Sequence, residues 1–177
     1  MKDMNSKHTI DLFLLTVTGI LFGAIVGAIT NSINGLVSPR YYEVILGWEG
    51  VNNIWRASIA QGIFEGVIFG TLLSLLFVTI VGLITKVKCS YKLGVKYLTG
   101  IIALSIIFWI LGGIMGLLLS LLSPEFFQSR FHNVPKETIA LMKYAWVGGS
   151  IWGIELGGFI SVILGSLIFK SKWTNNK

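Results

Sequence analysis

Four apolar runs, at about 12–37, 57–85, 97–122 and 144–169, constrain this chain more than any other feature. Each reaches the ~20 residues that a helix needs to cross ~30 Å of hydrocarbon. Charge collects between and beyond them, at 1–11, 40–56, 86–96, 125–143 and 170–177. With 12% charged residues, the chain holds about half the ~25% of a soluble domain. These features predict an all-α integral membrane protein with four transmembrane helices, a single membrane domain over 1–177. The first run is too long for a signal-peptide core and no small-x-small site follows it, so it is expected to be retained.

The net charge of +6 raises the question of nucleic acid, and its distribution answers no. Nine of the fourteen basic residues are Lys2, Lys7, Lys86, Lys88, Lys92, Lys96, Lys170, Lys172 and Lys177. They fall in the N-terminus, the middle loop and the C-terminus, which four spans place on one side. The positive-inside rule makes that side cytoplasmic. The Ser-Pro loops at 38–56 and 123–143 are then extracellular, in a bacterial-type inner or cell membrane. The loop "KVKCSYKLGVK" has four lysines and no acid, which suits anionic headgroups as well as a topology signal. Cys89 is the one cysteine, and His8 and His132 lie far apart, so neither an intramolecular disulfide nor a metal motif is indicated. No cofactor is implied.

The chain reads as a duplication. "GLVSPRYY" (35–42) and "SLLSPEFF" (120–127) align at an offset of 85, which sets Gly27 on Gly112 and Val37 on Leu122. Two helix-loop-helix copies follow, at about 10–85 and 97–170, separated by a cytoplasmic loop at 86–96. Both copies start from the same side, so they are expected to be parallel repeats related by an axis along the membrane normal. Proline restricts the residue before it to extended conformations, so the first and third helices should stop near Val37 and Leu122. Tyr41, Tyr42, Phe126 and Phe127 are placed in an aromatic belt, joined by Trp48, Trp55 and Trp146. "EVILGW" reads as a short interfacial helix, and Pro135 as part of a first helical turn.

Small residues recur every fourth position. The stripes are Gly19, Gly23, Gly27 in the first helix; Gly62, Gly66, Gly70 in the second; Gly112, Gly116 in the third; and Gly149, Gly153, Gly157 in the fourth. Helices in lipid associate through close packing, which small residues permit. Tight glycine-zipper packing is expected, within a bundle, a homo-oligomer or a complex with a partner membrane subunit.

Two glutamates interrupt the apolar runs. A charge at the bilayer centre costs roughly 2.5–3.5 kcal/mol on insertion scales, so an intramembrane acid is functional by default. Glu65 lies one residue before Gly66, and Glu155 two before Gly157, so the two differ by about 100° relative to their stripes. Gln61 is one turn from Glu65. Asn31 and Asn34 lie at comparable depth, so Gln61, Glu65, Asn31 and Asn34 are expected to form one polar cluster. The third helix has no matching asparagines, and Glu155 reads as a degenerate second site.

Transport or channel activity for a proton, cation or small cationic solute follows from these acids. Paired helices with Gly19, Gly23, Gly27 and Glu65, then Gly112, Gly116 and Glu155, resemble in architecture the duplicated proteolipid subunits of rotary V-type ATPases. Departures from that family are the long loops after the first and third helices, the Ser-Pro-aromatic motif and the cytoplasmic termini. The alternative is a non-catalytic scaffold or accessory subunit in which the glutamates are structural. No nucleophile-base arrangement is present, and an enzyme is not expected.

Overall fold

The computed structural model describes residues 2–131 and 133–175, with side chains from Lys7 onward; His132 and Lys177, which entered the sequence reading, lie outside the described residues. All regular structure in it is helical: α1 (Lys2–Val37), α2 (Pro39–Leu46), α3 (Ile54–Thr85), α4 (Tyr91–Leu122), α5 (Pro124–Arg130) and α6 (Thr138–Asn175). α1, α3, α4 and α6 are long and apolar enough to cross a membrane, which makes this a multi-pass membrane protein.

The prolines act on both sides of themselves. α1 stops at Val37 and α4 at Leu122, as the extended preference before proline requires. Pro39 and Pro124 then open α2 and α5, since a first helical position needs no N–H. The expected interfacial helix at 43–48 therefore starts earlier, at Pro39, and ends at Leu46. Pro135 lies before α6 and outside its first turn. Glu137, the residue before that helix, caps it instead, its carboxylate accepting from the Ile139 and Ala140 amides at 2.9 and 2.7 Å. Those bonds hold its carboxyl below the usual range. The expected loop at 86–96 shrinks to 86–90, because α4 begins at Tyr91 and carries Lys92 and Lys96 in its first turns.

α1 packs chiefly on α3, and α4 chiefly on α6. Both pairs are antiparallel and meet through their glycines. Gly23 lies against Gly66 and Gly70, and Gly27 against Gly62; a Cβ on Gly23 would meet the Gly66 carbonyl oxygen. In the second pair, Gly112 lies against Gly149 and Gly153, and Gly116 against Ala145 and Gly149. Gly157 departs from this, resting on the Phe108 side chain. The stripes are thus occupied within the chain, so they no longer argue for a homo-oligomer.

Fewer contacts join the two pairs. α1 sits beside α4 and α3 beside α6, while α3 and α4, though consecutive, lie on a diagonal. A two-fold axis along the bundle would put like helices on the diagonals. Here α1 neighbours α4 and α3 neighbours α6, so the contacts do not follow the expected axis. At the end carrying 86–90, Leu15, Phe77, Val81, Cys89, Leu98 and Phe169 close the interior. At the other end, Val134, Leu141 and Tyr144 pack with Tyr41, Val44 and Phe127.

That second cluster corrects the aromatic belt. Tyr42 is buried and stacks on Trp48, and half-buried Tyr41 packs on Tyr144 at 5.3 Å. Phe126 and Trp55 stay exposed. A belt and a cap both need aromatics at a helix end, and α2 folds its pair inward.

Candidate functional site

A cavity of about 110 Å³ lies between the two helix pairs, with walls from α1, α3, α4 and α6. Most of its lining is apolar. Glu65 enters from α3 and Glu155 from α6, and no lysine, arginine or histidine faces it among the described residues. The two acids predicted as a main and a degenerate site therefore share one chamber.

Stacking explains how they meet. α3 and α6 are neighbours that both wall the cavity, so acids at the same place relative to their glycine stripes need not both face it. The position on α6 equivalent to Glu65, one residue before the stripe glycine, is Leu156, which is 58% exposed. Moving the acid back by one residue turns it about 100°, toward the cavity.

The α1–α3 half of the site is firmly built. Asn31 Nδ2 donates to Glu65 Oε2 at 3.0 Å, and Gln61 Nε2 donates to Glu65 Oε1 at 2.8 Å. Three of the four members of the expected cluster are therefore together. Asn34 is not part of it. Its side chain lines the same cavity, but its hydrogen-bond partner is Ser150 of α6, at 3.1 Å. Glu155 differs from Glu65 in having no hydrogen bond or ion pair among the described residues.

Several residues that shape the site carry no sequence mark. Ser150 is one small residue among many. Thr30, Ser74, Ser105 and Trp109 also line the cavity. Thr30 donates to Val26 O at 2.9 Å and Ser105 to Ile101 O at 2.9 Å, so these hydroxyls are tied to their own helices. Tyr41 lies over the α2 end. Burial pushes its hydroxyl up to about 12, helped by the nearby Tyr144, Glu65 and Glu155. Its phenol is thus within electrostatic reach of both acids.

No protein family, curated protein or solved structure matches the chain, so the site stands on its own geometry.

Proposed function

We propose that this protein moves a proton, a cation or a small cationic solute across a membrane through the cavity between its two helix pairs. One observation carries the reading: Glu65 and Glu155, from different pairs, line one chamber with no basic side chain among its described walls. A cation is the group that such a chamber stabilises.

Other features support it. Backbone contacts at Gly23, Gly66, Gly112 and Gly149 make each pair a glycine-zipper unit. Sparse contacts between pairs leave their relative position adjustable. The chamber is complete within one chain, so the activity needs no oligomer. The repeated Ser-Pro segments and the matching α1–α3 and α4–α6 pairs fit a duplicated origin. The lysine-rich end belongs in the cytoplasm of a cell membrane, with α2 and α5 outside.

A second reading has one observation in its favour. Both Glu65 oxygens are bonded within the α1–α3 pair, as a structural pin would be. The test is ion and proton flux in proteoliposomes for wild type, Glu65→Gln, Glu155→Gln and the double variant, each first shown to be monodisperse. Transport predicts wild-type flux that Glu155→Gln abolishes in an intact particle. Absence of flux from every form, with assembly lost on substitution, leaves the scaffold reading.

A further inference from the structure

We infer, on the transport reading, that the occupant of the cavity is a small alkylammonium ion, held by its N–H groups between Glu155 and Asn34. The inference starts from an imbalance at Asn34, which is fully buried and whose Nδ2 lacks a partner. Ser150 Oγ lies 3.1 Å from Asn34 Oδ1 and 2.9 Å from Val147 O. A hydroxyl carries one proton and cannot donate fully to both. Turning the amide over resolves this. Ser150 then donates to Val147 O, Nδ2 donates to Ser150 Oγ, and the Asn34 carbonyl oxygen is left as a free acceptor.

The remaining polar wall is of the same kind. Thr30, Ser74 and Ser105 each donate to a backbone carbonyl of their own helix, so their hydroxyl oxygens keep lone pairs and no free hydrogen. Asn31 gives one of its two amide hydrogens to Glu65. Glu155 has both oxygens available. Spare donors are few among the described lining residues: the Trp109 indole N–H has no hydrogen-bond partner, and the Asn31 and Asn34 amides each keep one further hydrogen. The chamber therefore asks for a positive group rich in N–H.

The apolar walls select further. A bare metal cation needs about six or more oxygen ligands, which walls of Leu73, Leu98 and Ile101 do not complete. A proton needs no apolar chamber. A quaternary ammonium has the charge but no N–H for the acceptors. Phe22, Phe69 and Trp109 offer ring surfaces beside the charge. The volume is of the order of the ~150 Å³ void that holds one benzene ring, which limits the apolar body to a short chain.

The test is calorimetric binding to the full chain in neutral-lipid nanodiscs, with the heat of empty nanodiscs subtracted. The probes are butylammonium, butyltrimethylammonium, butanol and potassium chloride. Butylammonium is expected to bind saturably and about tenfold or more tighter than its trimethyl analogue, with butanol and potassium silent. Asn34→Leu should erase the preference over the trimethyl analogue. Glu155→Gln, which breaks no hydrogen bond in the fold, should weaken butylammonium about tenfold or more even if Asn34→Leu fails to fold. Equal binding of all probes, or none, overturns the inference. Glutamate-dependent ion flux without butylammonium binding overturns it while sparing the transport reading. Saturable binding with no movement of butylammonium into vesicles supports the site and removes the transport reading.

Discussion

Asn31 donates to Glu65 across the α1–α3 seam at 3.0 Å, one turn from the contact between Gly27 and Gly62. The glycines bring the backbones close enough for an asparagine to reach an acid on the neighbouring helix. Packing and site are thus one construction, and each can be tested through the other.

Breaking the bond should cost most where burial is deepest. Asn31→Leu leaves one Glu65 oxygen without its donor and is expected to lower stability by about 1–3 kcal/mol. Gln61→Leu, at a more open position, should cost less. A double-mutant cycle between Asn31→Leu and Glu65→Leu should return a coupling of about 1.5 kcal/mol or more. Additive effects within error would show that the bond contributes nothing.

Two glycine-to-alanine changes should act in opposite directions. A Cβ at Gly66 would meet the Gly23 carbonyl, and neither backbone can yield alone. Gly66→Ala should cost about 1–3 kcal/mol despite alanine's better helix propensity. A Cβ at Gly100 meets nothing within 4 Å, so Gly100→Ala should stabilise by up to ~1 kcal/mol. Thermal unfolding in detergent reads both. Melting shifts of the same sign would contradict the packing described.

Much of this was legible in sequence because it is local. Ser-Pro sets the ends of α1 and α4 through a restriction on one residue. Gln61 and Glu65 share a face by helical period. Asn31 was reachable because the stripes set the register of α1 against α3. The rest depends on how the pairs stack, and helical period is silent on that. Glu155 looked like a lesser copy because the third helix has no asparagines to match Asn31 and Asn34, and its stripe offset differs from that of Glu65 by one residue. That offset is what turns it toward the shared cavity. Asn34 and Ser150, 116 positions apart, meet across a diagonal. Tyr41 and Tyr42 were misplaced because aromatics at a helix end look alike whether they face lipid or fold inward.

Alkaline pH should loosen the α2 cap. Burial raises the Tyr41 hydroxyl from 10.0 to about 12, and raises Tyr42 as well. A folded-state value above the unfolded one gives stability that is complete below pH 10 and lost as pH rises toward 12. The melting temperature should fall across that window, and less steeply in Tyr41→Phe. Tyr42→Phe removes a buried hydroxyl that has no partner, so near neutral pH it should be neutral or stabilising by about 1 kcal/mol. A loss of several degrees in Tyr42→Phe would mean that the hydroxyl is bonded after all.

Cys89 should resist thiol reagents. It is fully buried, and burial with Asp11 nearby pushes its thiol up to about 11, so little thiolate exists at neutral pH. Maleimide should label the native protein slowly and the denatured protein quickly. Rapid labelling from either side of an intact membrane would mean that the 86–90 segment opens.

The 86–90 segment also sets the mechanics. It joins helices on opposite corners of the bundle, reversing through two successive left-handed residues, Lys86 at φ 53° and Val87 at φ 62°. So short a tether, crossing beneath a closed apolar plug, forbids the pairs from sliding past one another at that end. It leaves a pivot. α4 is 32 residues long, about 48 Å, so a tilt of roughly 10° at the tether moves its far end by about 8 Å. Leverage is therefore greatest beside α2 and α5, where Tyr41 and Tyr144 touch.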